Sequence, residues 1–281
     1  MNVKIEDVMS TDLIVGYVPG TVKDALKVLA KHNVSGMPIL KKGTKNVVGV
    51  VTRTDIFRNS DEEQLALIMS DKVHLVDKEQ DVKIAAKMLH QNRIHGLPVV
   101  NKRKQIVGII SPTDILKTLS ERKREAVEKY CTNLVVPVYE ETPINIVMEI
   151  INITSENALP VINDDLKLAG IVSDGDLFKL SHIKESISRS DMGIGDDEDQ
   201  WTWEGIRDTV RLYYSTSKVD LPTVAVKEVM VKNVVKAFKN TSVSEVAQKM
   251  VKNNISHIPV VDESERLIGM VTDIDLMACM V

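Results

Sequence analysis

An α/β fold made of four copies of one small unit is predicted by three features of the chain. A short phrase recurs four times, as Gly49-Val-Val-Thr-Arg-Thr-Asp55, Gly108-Ile-Ile-Ser-Pro-Thr-Asp114, Gly170-Ile-Val-Ser-Asp-Gly-Asp176 and Gly269-Met-Val-Thr-Asp-Ile-Asp275. Each phrase follows an apolar run anchored by Pro38, Pro98, Pro160 or Pro259, with 17, 16, 16 and 16 residues from proline to final aspartate. Within each copy a helix-period stripe gives way to strand-sized apolar runs, and a fixed period of this kind is the mark of a repeat architecture.

In the first copy Val22, Ala25, Leu26 and Leu29 fall at i, i+3, i+4 and i+7, one buried face of a helix over Thr21 to Ala30. Thr21 and Asp24 have capping-box spacing at its start. Met37-Pro-Ile-Leu40 reads as a strand whose early proline sits where a missing N–H is tolerated. Lys41 to Asn46 is a polar turn. Val47-Val-Gly-Val-Val51 is so continuously apolar that both of its faces must be covered. Thr52-Arg-Thr-Asp55 then opens a second helix through Ile56 and Phe57. In front of the unit stand a helix end at Asp7 to Ser10 and a strand near Leu13 to Val15.

The second copy repeats the pattern with a helix over Asp81 to His90, strands at Leu97–Val100 and Ile106–Ile110, and a last helix opened by Ser111-Pro-Thr-Asp114. Pro112 falls at the first helical position, which its fixed φ suits. Copy three starts its helix at Pro143 and runs to about Leu180, and copy four runs from about Val226 to the end of the chain. Met9, Met69 and Met230 each precede their proline by 29 residues, and Tyr130 takes that place in copy three at 30. The implied units are 1–60, 61–122, 123–182 and 224–281, with an insert at 183–223.

That insert accounts for a proline spacing of 99 between copies three and four, against 60 and 62 for the earlier pairs. It carries an acidic loop, Asp191 to Asp199, then Gln200-Trp-Thr-Trp203 and a helical pattern from Glu204 to Tyr214. A charged run followed by aromatics fits a partner-docking element. It equally fits a solvated loop leading into a helix whose aromatics pack on the main body.

Composition narrows the class. The chain of 281 residues is 43% hydrophobic and 27% charged, with 36 basic and 40 acidic side chains for a formal charge of -4. That balance is globular, and it gives no signal for nucleic acid. Apolar stretches are strand-sized, so no membrane span is expected, and the N-terminus lacks a signal-peptide body, which makes the cytoplasm the expected location. Cys131 and Cys279 are too few for a disulfide scaffold or a zinc site and read as small buried hydrophobes. No nucleophile, base and orienter recur at triad spacing, and neither a Walker-type loop nor a paired-carboxylate metal motif is present. Each unit is too small to bury a comfortable core alone, so pairing is expected.

The four phrases, with their prolines, resemble those of cystathionine-beta-synthase (CBS) motifs over nearly the whole chain outside the insert. The resemblance implies short mixed sheets with flanking helices, paired into two pseudo-twofold Bateman modules in a disk-like assembly. Two modules in one chain are similar to the gamma subunit of the AMP-activated protein kinase. It further implies non-catalytic clefts for AMP, ADP or ATP, with no required cofactor and no metal. Asp55, Asp114, Asp176 and Asp275 would then hold ribose, and Thr52, Ser111, Ser173 and Thr272 would face the phosphates. The segment around each proline would line the adenine slot, and His257 matches a phosphate-contacting position.

The chemistry suits those residues. An ionised carboxylate accepts hydrogen bonds from two ribose hydroxyls, and a helix N-terminus favours an anion. Arg53 beside Thr52, Arg93 and His95 upstream of Pro98, and His257 could supply charge. The expected groupings are Asp55, Thr52 and Arg53; Asp114, Ser111 and His95; and Asp275, Thr272 and His257. Around Asp176 and Ser173, Asp174 adds a carboxylate that would repel phosphate unless a cation or arginine intervenes. Thr/Ser-x-x-Asp is also a plain capping box, so a ligand-free scaffold stays open, as does an S-adenosylmethionine or methylthioadenosine sensor. The partner classes left open are a separate effector protein and a homodimer.

Overall fold

The computed structural model describes residues 3–59, 62–119, 124–180 and 222–280. Residues 183–221 of the insert, with its acidic loop, its aromatics and its helical pattern at 204–214, lie outside them.

Four three-stranded sheets follow one plan, with a first strand parallel to the second and a third strand antiparallel to it. In unit 1 these are β1 (Gly16–Val18), β2 (Gly36–Lys41) and β3 (Val47–Thr52), with α1 (Val22–His32) crossing from β1 to β2 and α2 (Arg53–Arg58) closing the unit. After a short α3 (Leu65–Ile68), unit 2 runs β4 (Val76–Asp77), α4 (Val82–Asn92), β5 (Leu97–Val100), β6 (Ile106–Ile110) and α5 (Pro112–Leu116). Unit 3 has β7 (Val138–Tyr139), α6 (Ile144–Thr154), β8 (Ala158–Ile162), β9 (Leu168–Ser173) and α7 (174–180). Unit 4 has β10 (Ala237–Phe238), α8 (Val243–Asn253), β11 (His257–Val261), β12 (Leu267–Thr272) and α9 (Asp273–Met277).

The first strand lies at Gly16–Val18, beyond the apolar Leu13 to Val15 triplet that the sequence favours. Pairing decides this. Gly16 stands opposite Ile39, as Val76, Val138 and Ala237 stand opposite Val99, Val161 and Val260 in the sister sheets, and in unit 1 the Ile39 side chain fills the space a Cβ would take.

Units join in two ways. The segment entering unit 1 bonds to unit 2, Ser10 N–H to Ile109 O at 2.9 Å, and the segment entering unit 2 bonds back to unit 1, Ser70 N–H to Val50 O at 2.9 Å. Units 3 and 4 exchange segments identically through Thr132 with Met270 and Val231 with Ile171. These reciprocal pairs are the two Bateman modules.

Between modules the bond is hydrophobic. Leu89, Leu97, Ile110 and Ile115 of unit 2 share a core with Val246, Met250, Ile258 and Leu276 of unit 4. Leu29, Ile39, Ile56 and Phe57 of unit 1 share another with Ile144, Ile151, Leu159 and Phe178 of unit 3. The ring pair Phe57 and Phe178 meets edge-on with centroids 5.5 Å apart. Units 1–2 and 3–4 are therefore tied by strands and 1–3 and 2–4 by cores, which closes a ring of four. Each small unit completes its core with a neighbour from the other module.

The exchanged segments explain the glycine of the phrase. A Cβ at Gly49, Gly108 or Gly170 would meet the sulfur of Met69, Met9 or Met230 at 2.6, 2.6 and 2.3 Å. At Gly269 the sulfur is that of Cys131, at 2.3 Å. Cys131, and not Tyr130, is thus the counterpart of the three methionines, and copy three keeps the 29-residue spacing after all. Burial pushes its thiol up to about 11, as befits a packing residue.

Gly269 also faces a backbone atom, Thr132 O at 2.7 Å, which cannot step aside as a methionine side chain can. Gly269→Ala is accordingly expected to cost about 2 kcal/mol, more than Gly170→Ala, as read from urea-denaturation midpoints. Equal midpoints for the two variants would contradict this account.

Candidate functional site

The four phrases end in the same local geometry. Thr52 N–H and Oγ1 donate to the Asp55 Oδ2 at 2.8 and 2.7 Å, and Asp55 N–H donates back to Thr52 Oγ1 at 3.2 Å. Ser111 with Asp114, Ser173 with Asp176 and Thr272 with Asp275 repeat it, the hydroxyl-to-carboxylate distances being 2.7, 2.6 and 2.7 Å. The capping box is therefore formed in all four copies. It occupies Oδ2 and the hydroxyl proton, and leaves each aspartate its Oδ1. In two copies a cation stands there: Lys117 Nζ is 3.1 Å from the Asp114 Oδ1, and Arg93 Nη1 is 3.5 Å from the Asp275 Oδ1.

Arg93 comes from unit 2, at the left-handed C-cap of α4 with φ of 49°. Asn33, Ser155 and Asn254 hold the matching caps of α1, α6 and α8. Two of these caps reach another module, Arg93 toward Asp275 of unit 4 and Ser155 toward Arg58 of unit 1, while Asn33 meets Arg53 of its own unit.

A cleft of about 260 Å³ lies between units 3 and 4 beside Thr272. Its apolar walls are Leu134, Val136, Ala158, Leu159 and Met270, and Arg93 stands at its edge. The strand before Pro160 in unit 3 faces the phrase of unit 4 across this cleft, because segment exchange within a module brings sister units edge to edge.

Charged side chains from all four units converge where the modules meet. Arg53, 7% exposed, lies across the unit 1–3 boundary with its Nη1 4.0 Å from the Asp174 Oδ1 and its guanidinium 5.2 Å from the Phe178 ring centre. Asn33 Oδ1 accepts from its Nη2 at 3.3 Å, while its Nε has no hydrogen-bond partner among the described residues. Burial raises the Asp174 carboxyl, and Arg53 is the chief opposing influence. The arginine that the Asp174 phrase required is therefore Arg53, drawn from another copy.

The other side of this centre is built from histidines. His95 of unit 2 pairs its Nε2 with the Asn157 Nδ2 of unit 3 at 2.8 Å and brings its Nδ1 to 3.7 Å from the buried Asp273 Oδ1 of unit 4. The His257 ring lies 6.5 Å from that of His95, centre to centre, and its Nδ1 contacts Ser256 Oγ at 2.8 Å. Full burial lowers the His257 ring to about 4, so at neutral pH it is an uncharged hydrogen-bonding group.

The groupings read by copy are thus redistributed. His95 stands by Asp273, Arg93 by Asp275, and Arg53 by Asp174. Asn33, Asn157 and Asp273 were missed. The signal for Asn157 and Asp273 was positional: Ser35, His95, Asn157 and Ser256 each stand three residues before their proline, and Arg53, Pro112, Asp174 and Asp273 each follow the capping hydroxyl, while Asn33 marks the left-handed end of α1.

Among known proteins, the chain matches the family described as CBS domain at residues 5–62, 64–121, 127–183 and 226–281. It is 23% identical over 288 residues to the uncharacterized protein MJ1225 of Methanocaldococcus jannaschii, covering 94% of each chain. The crystal structure of that protein, described as a proposed archaeal homolog of g-AMPK, superposes with a TM-score of 0.78 at 20% identity, covering 99% of this chain and 100% of that one. An uncharacterized conserved protein from Pyrococcus horikoshii superposes with a TM-score of 0.67 at 24% identity, covering 99% and 100%. At these identities the likeness establishes a shared fold. No helix among the described residues is long and apolar enough to cross a membrane, and none of their histidine, cysteine and carboxylate groups forms a cluster able to hold a metal ion.

Proposed function

The chain belongs to the CBS domain family, and from that premise we propose that it is a regulatory module that binds AMP, ADP or ATP and alters its contacts with a separate effector protein. Units of this family are typically non-catalytic, and their fold is generally associated with ligands of the adenine-nucleotide type. One observation carries the proposal: the unit 3–4 cleft has apolar walls with Thr272 and Arg93 in its lining, and the Asp275 that Thr272 caps has its other oxygen 3.5 Å from Arg93. Apolar walls with few placed polar groups are the ordinary design of a small-molecule site.

In this reading the base enters between Leu134, Val136, Ala158 and Met270, and the ribose hydroxyls donate to the Asp275 Oδ1. Arg93 then turns from the carboxylate to a phosphate, for which its planar fork is suited. The phosphates point toward the centre where His95, His257 and Arg53 gather. Regulation follows if the ligand, by binding between units, favours one arrangement of the ring over another.

The test is calorimetric titration of AMP, ADP and ATP, with S-adenosylmethionine in parallel. Asp275→Ala is expected to weaken nucleotide binding about 10- to 100-fold, the size of a lost charge-assisted hydrogen bond. Asp55→Ala, Asp114→Ala and Asp176→Ala assign any further sites by lost stoichiometry. Tighter binding of S-adenosylmethionine than of any nucleotide would transfer the clefts to a sulfonium ligand. Heats unchanged by all four substitutions would leave the aspartates as helix caps alone.

A further inference from the structure

The four long helices α1, α4, α6 and α8 occupy the same place in their units, each buries one face, and each is 11 residues long. Their outward faces differ. Three turns of α1 and α8 present mainly lysines and acids to water: Lys23, Asp24, Lys27 and Lys31 in α1, and Glu245, Gln248, Lys249 and Lys252 in α8. Unit 3 departs from this. Ile146 takes the place of Asp24 and Glu245, and Ile153 the place of Lys31, Gln91 and Lys252, with Ile150 between them. Ile146 is 49% exposed and Ile153 74%. Ile84 of α4 is the one large apolar sister residue at the positions of Ile146 and Ile153, and at the half-buried position of Ile150 the sisters carry Val28, Met88 and Lys249. A helix apolar on both faces is covered on both faces.

The only long insertion in the repeat lies in the same unit. Chain beyond the described structure leaves at Leu180, which packs on the unit 1–3 core, and returns at Pro222. Two residues later Val224 O accepts from Ile144 N–H, the first residue of α6, at 3.0 Å. The insert is thus tethered at the end of the helix whose outer face is apolar. That face runs only about 16 Å, a span that the 41 residues from 181 to 221 cover many times over. Both tryptophans of the chain, Trp201 and Trp203, lie in this segment, together with Tyr213 and Tyr214. A tether of this kind makes docking intramolecular and raises the effective concentration of the segment at the face.

We propose that residues 181–221 dock on the outer face of α6, covering Ile146, Ile150 and Ile153 with the aromatic part of the insert. The surface is then an internal cover for the helix that exposes two isoleucines on this face, whereas α4 exposes Ile84 alone and α1 and α8 keep lysines and acids there. The inference is independent of any ligand.

Tryptophan fluorescence of the full chain tests it directly, because both indoles are in the insert. The expected result is blue-shifted emission, shielded from acrylamide, that moves to the red and becomes accessible in Ile146→Glu/Ile153→Lys. These replacements match residues of the sister helices, and the docking equilibrium should fall about tenfold or more. Should the double variant fail to fold, Ile153→Lys alone, at a largely exposed position, gives the same readout. Emission and quenching identical to the unsubstituted chain would overturn the proposal. So would shielding that disappears on dilution together with a dimer mass in sedimentation, since the face would then belong to a second copy.

Discussion

Arg53→Met should lower stability by on the order of 3 kcal/mol, the range for removing one partner of a buried ion pair. The guanidinium is nearly enclosed, with 8% of its side chain exposed against 11% for Asp174. It also lies over Phe178 and donates to Asn33. Removing it leaves the Asp174 carboxylate inside the unit 1–3 boundary with its main compensating charge gone, and burial already disfavours the ionised form. The effect should therefore exceed that of losing an exposed pair such as Lys102 with Glu79, which stands near zero. Arg53→Met/Asp174→Leu should recover most of the loss, because an apolar pair of similar volume needs no compensation. Urea midpoints of the two single variants and the double variant complete a mutant cycle. Additive losses, or an Arg53→Met midpoint equal to that of the unsubstituted protein, would show that the two side chains are not coupled across the boundary.

The second large effect concerns acid. His257 in the folded chain holds its ring near 4, against 6.5 in the open, because burial penalises the cation more than Asp273 repays it. A base whose folded value is depressed binds fewer protons folded than unfolded between those two values. Stability should therefore fall as pH drops from about 6.5 to about 4 and level off for this group below that, with a total on the order of 3 kcal/mol. His257→Gln keeps a polar side chain and removes the titration, so its acid limb over that window should be shallower. Asp174 works in the opposite sense, since a raised carboxyl gains its proton first in the folded state. It is common to both proteins and largely cancels in the difference. Midpoints measured across the pH series would be parallel for the two proteins if His257 did not titrate in this way.

Much of the fold was legible because it is local and repeated. Proline, glycine and the Thr/Ser-x-x-Asp phrase mark strand start, close approach and helix start, and a capping box is formed at each phrase. The strand and helix boundaries fall within two residues of those the spacing predicts for Leu97–Val100, Ile106–Ile110 and α1. The first strand was displaced because three apolar residues outweighed a glycine in the sequence, while the strand's place is fixed by its long-range pairing with Ile39 to Lys41. Tyr130 was matched to the methionines by its place 30 residues before the proline, whereas the side chain that faces the partner glycine is that of Cys131.

Spacing and resemblance offered an inventory of candidates, Arg53, Arg93, His95, His257 and the four phrase aspartates, and the structure gathers Arg53, His95 and His257 where the modules meet. Their partners were not legible. Arg53 meets Asp174 from 121 positions away in the chain, and Arg93 meets Asp275 from 182.

The order of residues thus set the unit, its number of copies and the chemical groups at each phrase, since helix period, capping and strand alternation act over a few neighbours. Which copy completes which cleft was decided by tertiary packing alone. Segment exchange joins units 1 with 2 and 3 with 4, while the need of each small unit to bury its helices joins 1 with 3 and 2 with 4. Charges read as belonging to one phrase are thereby carried to another.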